Sequence, residues 1–193
     1  IGCWRGCTLD RAVSNFESFK NHVSVLFWSL GNESYAGDIL VEMNRYYKEK
    51  DPDRLVHYEG VAENRPYEDL ISDMESQMYA SPEKIKEYLE NNPKKPFILC
   101  EYMHDMGNSL GGMESYIRLL DQYEDYQGGF IWDYIDQALF VKDEVTGRDV
   151  LRYGGDFDDR PSDYEFSGNG ILFADRTEKP AMQEVRHYYG LRR

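Results

Sequence analysis

Short apolar runs alternating with amphipathic helices constrain this chain more than any other feature. The runs are residues 23–28, 55–58, 96–100 and 128–132, and residues 71–79 read as a further strand. The first is too short for a helix, and all five segments are expected to be strands. Between them the spacing predicts helices. Leu9, Ala12, Val13, Phe16 and Phe19 mark the first; Ile39, Leu40, Met43, Tyr46 and Tyr47 mark the second, stopped before Pro52. Ser81-Pro82-Glu83 opens a third with an N-cap, a proline at the first helical position and an acid in the first turn. Ile85, Tyr88 and Leu89 form its stripe, and Met113, Tyr116, Ile117 and Leu120 form that of a fourth. Strand and helix in regular alternation are the rhythm of βα units on a parallel sheet.

Five such strands are too few for a closed eight-stranded barrel, which needs three more and typically about 250 residues. The expected fold is α/β: an incomplete (β/α)8 barrel holding about strands four to eight, as one partial domain over residues 1–193. After Tyr134 the rhythm stops. Residues 138–142 and 150–153 are expected to pair as a hairpin, 154–170 to form a long loop over the pocket mouth, and 180–189 to form a last helix. An open sheet of this kind would expose a strand edge and apolar interior residues, so the isolated chain is expected to be unstable, oligomeric or inactive.

Charge narrows the function. The 193 residues carry 36 acidic and 22 basic side chains, a net charge of −14. Nucleic acids and anionic membranes need clustered Lys and Arg, so neither is an expected partner. No 18-residue apolar stretch marks a membrane span. No signal-peptide pattern is seen, although Ile1 need not be a natural start. Cys3, Cys7 and Cys100 are an odd set with no second metal-binding pair, which favours a reducing, cytoplasmic setting over disulfides or zinc. With aromatics at 15% and 16 tyrosines, some are expected to line a pocket.

Two of the apolar runs end in a glutamate. One leads into Gly31-Asn32-Glu33, the other into Glu101-Tyr102-Met103-His104. A barrel strand delivers a catalytic side chain to the rim in this way. Two carboxyl groups in one pocket are the equipment for cleaving a glycosidic bond. An isolated Glu after a strand is more often a solvated loop residue; the surrounding residues decide otherwise.

Residues 28–34, Trp-Ser-Leu-Gly-Asn-Glu-Ser, resemble the acid/base motif of glycoside hydrolase family 2. Residues 98–109, Ile-Leu-Cys-Glu-Tyr-Met-His-Asp-Met-Gly-Asn-Ser, resemble the nucleophile motif of the large β-galactosidases within it. Residues 128–133 and 169–176 match the same subgroup in the same order, and the resemblance runs from about Asn21 to Tyr189. It implies a retaining β-galactosidase acting on lactose-like galactosides, with Glu33 as general acid/base and Glu101 as nucleophile. It further implies that Asn32 holds the sugar 2-hydroxyl and that Tyr79 lies beside the nucleophile. His104 would hold galactosyl hydroxyls, with metal ligation the competing reading, and Trp132 would form the pocket floor. The Phe166 carbonyl and the Asn169 side chain would share a sodium ion, and Glu33 would be one magnesium ligand. The remaining ligands of both metals have no counterpart here, so both sites are expected to be incomplete. The resemblance implies further domains and a homo-oligomer in the full-length protein.

Within the family, a β-glucuronidase is the alternative. Its acid/base motif usually reads Asn-Glu-Pro, whereas this chain has Asn32-Glu33-Ser34. A catalytically incomplete sugar-binding fragment is the alternative of another class. Gly107, Gly111 and Gly112 match no phosphate loop. Asp156, Asp158, Asp159 and Asp163 lack the alternating spacing of a calcium loop.

Overall fold

The helical spacing of Leu9, Ala12 and Phe16 produces the first element. In this computed structural model, which describes residues 2–191, α1 (Arg5–Phe19) buries Ala12 and Phe16. It packs on α2 (Asp38–Lys50), whose inner face is Leu40, Met43 and Tyr47. Phe16 meets Trp28 at 5.6 Å and Tyr47 at 6.4 Å, and Trp28 stacks on Tyr47 at 5.2 Å. Burying each such side chain contributes about 1.5–3 kcal/mol. The Trp28 indole donates to Asp51 at 3.0 Å, so its polar atom is satisfied as it is buried.

Strands β1 (Phe27–Ser29) and β2 (Leu55–His57) are parallel, with Trp28 opposite Val56 and Ser29 opposite His57. The first strand is shorter than the apolar run predicts, and Val23 and Leu26 are 93% and 75% exposed. The backbone explains it. His22 N–H bonds Phe19 O and Val25 N–H bonds His22 O, so turns that follow α1 occupy those groups before a ladder can. The expected strand over 71–79 is likewise divided into a helical turn, α3 (Glu68–Ile71), and β3 (Glu75–Met78). Ser72 Oγ donates to Met74 O and accepts from Tyr58 N–H, a local turn that competes with the ladder.

The next elements are α4 (Pro82–Glu90), β4 (Phe97–Tyr102), α5 (Met113–Gln122) and β5 (Tyr126–Ile131). Ser81 caps α4 through Lys84 N–H at 3.4 Å, as its sequence predicts. β3, β4 and β5 form one sheet in that order. β2 meets the segment leading into β3, with Asp73 N–H on Val56 O at 2.8 Å. Consecutive strands are therefore neighbours, the winding of a (β/α) barrel. β6 (Leu139–Lys142) and β7 (Asp149–Arg152) make the expected antiparallel hairpin. The long loop after it contains a 3-10 turn at Tyr164–Ser167, and α6 (Met182–Gly190) follows. Among the described residues, no helix is long and apolar enough to cross a membrane.

The contacts group the chain into two compact units. One runs through Cys100 and includes Asp125–Gln127; the other comprises Glu101–Glu124 and the chain from Gly128 onward. The first is centred on the aromatic cluster of α1, α2 and β1. The second is centred on Met113, Ile171, Leu172 and Val185. There the Glu184 carboxylate accepts from Met113 N–H at 2.7 Å, placing a negative charge at the start of α5.

Candidate active site

In the first unit, Leu30 N–H bonds His57 O at 3.1 Å, carrying the β1–β2 pairing one residue beyond the strand. Gly31-Asn32-Glu33 then turns outward, and Glu33 takes a left-handed φ of 55°. Glu33 N–H donates to Glu59 Oε1 at 2.6 Å and Ser34 N–H to the Tyr58 hydroxyl at 3.0 Å. Tyr58 returns its own proton to Ser34 O. This close approach requires a glycine at 60, where a Cβ would lie 2.3 Å from Ser34 O. Asn32 and Glu33 are exposed. Glu33 lines an open cavity of about 490 Å³ with Tyr35, Glu59, Glu63, Gln77 and Lys84. Tyr79 follows β3 directly, also left-handed at φ 52° and 43% exposed. A left-handed non-glycine residue costs about 1–2 kcal/mol and persists only where its surroundings hold it.

Beneath Glu33 lies a polar layer that the sequence reading passed over. His57 is 4% exposed, with Nδ1 2.9 Å from Ser29 Oγ and Nε2 2.7 Å from Ser76 Oγ. Glu59 is 7% exposed. Burial pushes the His57 imidazole down to about 4. The folded protein therefore refuses a proton that the unfolded chain accepts at about 6.5. Stability is full above pH 6.5 and falls as the pH drops to about 4, by about 3 kcal/mol from this group. Replacing His57 by Gln, which keeps hydrogen-bonding capacity without titrating, should flatten that slope. The measurement is the unfolding midpoint of wild type and variant from pH 7 to 4; parallel curves would refute it.

The second unit gathers the other expected residues. Glu101 lies inside β4, not after it as the apolar run predicts. The strand continues because Tyr102 is buried: its ring meets Tyr116 at 5.5 Å and its hydroxyl pairs with that of Tyr189 at 2.9 Å. Trp132 N–H bonds Tyr102 O, and Asp105 N–H bonds Trp132 O, both at 2.9 Å. Trp132 thus sits one residue past β5, between the neighbours of Glu101 and His104. Asp133 N–H bonds Asn169 O at 2.8 Å, and the His104 ring meets the Phe166 ring at 5.9 Å. Asn169 is buried; its Nδ2 donates to Phe166 O at 2.6 Å and its Oδ1 has no hydrogen-bond partner.

This unit also holds unpredicted residues. Lys179 Nζ donates to Asp136 at 2.8 Å and to Gly168 O at 3.1 Å, while Gly170 N–H donates to the same Asp136 oxygen. The pair therefore fixes the backbone on both sides of Asn169. Asp105 is 2% exposed and one of its oxygens lacks a partner; burial raises its carboxyl, against the nearby Lys179 charge. Asp159 is used by the loop itself, accepting from Gly155 and Phe157 N–H.

Strands wound in sequence order, with carboxylates, aromatics and amides at their C-terminal ends, define part of a (β/α) barrel. The chain belongs to the glycosyl hydrolases family 2, TIM barrel domain, whose family model matches residues 2–192. It is 73% identical to the β-galactosidase large subunit of Latilactobacillus sakei, over 97% of this chain and 30% of that protein. It is 60% identical to a β-galactosidase of Halalkalibacterium halodurans, over 96% of this chain and 18% of that protein. The chain thus spans under a third of the curated relatives it matches. Among solved structures it resembles the β-glucuronidase of Faecalibacterium prausnitzii, with TM-score 0.63 and 17% identity over 98% of this chain and 35% of that one. Agreement at that identity concerns the fold.

Proposed function

We propose that the full-length protein carrying this chain is a retaining β-galactosidase. The observation that carries the reading is close similarity to β-galactosidases over the whole segment holding Glu33 and Glu101. Glu101 attacks the anomeric carbon as the leaving oxygen takes a proton from Glu33, giving a galactosyl ester on Glu101. Glu33 then removes a proton from water, which attacks the same carbon and releases galactose. The two carboxyl groups need to approach within about 5 to 5.5 Å in the assembled barrel.

The chain's other residues have roles consistent with their surroundings. Asn32 beside Glu33 donates to the sugar 2-hydroxyl, Tyr79 orients the nucleophile, His104 binds sugar hydroxyls and Trp132 offers a flat face to the ring. The left-handed backbone at both Glu33 and Tyr79 supports a functional use of those positions. For sodium, the partnerless Asn169 Oδ1 supports a cation role. A half-turn of that amide brings an oxygen beside the Phe166 carbonyl, and two oxygens suit a hard ion. When bound, sodium would supply positive charge to anchor a sugar hydroxyl. Magnesium fits less well: Glu33 stands outside the single cluster of three potential ligands among the described residues, and no step is derived through it.

Lactose-like galactosides are the expected substrates, and the cytoplasm, which keeps thiols reduced, is the expected compartment. Relatives named as large subunits support assembly with another chain. The test is a substrate pair. Full-length protein should hydrolyse nitrophenyl β-galactoside with a kcat/KM at least about 100-fold above nitrophenyl β-glucuronide. The reverse ranking would make it a glucuronidase.

A further inference from the structure

We propose that His57, Glu59 and Cys100 form a binding site for one thiophilic divalent cation of the zinc class, which inhibits the enzyme when filled. One potential ligand atom from each of the three lies within 4.8 Å of the other two. His57 and Glu59 are buried and Cys100 is half-buried. Nitrogen, carboxylate oxygen and sulfur together are the donor set of a borderline-soft ion, and a thiol turns away hard ions such as magnesium and calcium. Bonds of about 2.0–2.3 Å to a tetrahedral ion place its ligand atoms about 3.5 Å apart. Closing the cluster therefore asks for side-chain movement of about 1 Å or so, within reach of rotamer adjustment.

Charge and hydrogen bonding favour occupation. Binding releases the Cys100 thiol proton to solvent. A thiolate, a carboxylate and a neutral imidazole around a divalent ion sum to zero charge, which a buried site tolerates. Either His57 nitrogen could turn to the ion, since each faces a serine hydroxyl. The displaced hydroxyl rotates, and the other remains to accept the ring N–H, the outer support that metal-bound histidines use. The ion would leave three protein ligands and one open position.

Occupation would reach the chemistry from both sides. Glu59 Oε1 holds the Glu33 amide at 2.6 Å, and Cys100 is bonded directly to Glu101 in the chain. This consequence rests on the galactosidase reading; the binding itself does not.

The experiment uses the full-length protein, stripped with chelator and titrated with cadmium chloride. Wild type should bind one more cadmium per chain than Cys100→Ser and should show a thiolate-to-cadmium absorption band that the variant lacks. Replacing the exposed Cys3 and Cys7 by Ser should leave the band intact. In wild type alone, zinc chloride should slow alkylation of Cys100 at least about ten-fold while Cys3 and Cys7 react as before, because a metal-bound thiolate is no longer a free nucleophile. A band that persists in Cys100→Ser, a band lost with Cys3 and Cys7, or an unprotected Cys100 would overturn the site. Zinc should also lower galactoside turnover at least about ten-fold, reversibly with chelator. Turnover unchanged at full occupancy would overturn the inhibition and leave the site standing. If the metal-free protein hydrolyses no galactoside, the galactosidase reading fails while the cadmium and alkylation results still decide the site.

Discussion

Replacing Glu101 by Gln should lower turnover of nitrophenyl galactoside by about 10⁴- to 10⁶-fold, the scale seen when an enzyme loses its covalent nucleophile. The amide has the shape of the carboxylate but no charge to attack the anomeric carbon. The structure argues that this loss reads chemistry and not unfolding. The backbone at this point is held by its neighbour: Tyr102 is buried, its ring lies on Tyr116, its hydroxyl pairs with Tyr189, and its carbonyl accepts from Trp132. Gln keeps the size and hydrogen-bonding capacity of Glu, so the unfolding midpoint of the full-length variant should move by no more than a few degrees. Steady-state kinetics and a thermal melt on the same preparation decide the matter. Residual turnover within ten-fold of wild type would assign the nucleophile to another residue.

How far the sequence carries such arguments depends on whether local or distant partners decide an element. The start of α4 was legible because Ser81, Pro82 and Glu83 carry its signal within one turn, and Ser81 does accept from Lys84. The hairpin and α2 were legible on the same grounds. The strand expected over 71–79 was not. Ser72 makes a turn there, and Glu75 is 4% exposed and held by both arms of Arg65 at 2.6 and 2.9 Å, a partner ten residues away that no local pattern marks. β4 outran its apolar run because Tyr102 is buried by partners on α5 and α6. For the site, the pattern that marks Glu33 and Glu101 marks a third carboxylate as well. Leu55-Val56-His57-Tyr58-Glu59 is also an apolar run ending in a carboxylate, and it supplies the polar layer under Glu33. Asp136 and Lys179 had no such signal: they are far apart in the chain, and only the fold gives them a common carbonyl and amide to hold.

Replacing Glu33 by Gln should give a different signature, because an acid/base residue is needed in proportion to what the substrate demands. A substrate with a basic leaving group, such as lactose, needs protonation as its bond breaks, and its turnover should fall about 10²- to 10⁴-fold. A dinitrophenyl galactoside leaves without a proton, so its first step should survive and the galactosyl ester on Glu101 should accumulate. Water then attacks slowly, lacking a base. Azide, already an anion, needs none, and should raise turnover of the activated substrate and yield β-galactosyl azide. The local structure permits the test: the main chain at 33 is fixed by Glu59 and its neighbour by Tyr58, contacts through backbone atoms that Gln retains. Gln also meets the same left-handed φ at the same cost as Glu. Equal losses on both substrates, with no response to azide, would remove Glu33 from the acid/base role and with it the pairing on which double displacement depends.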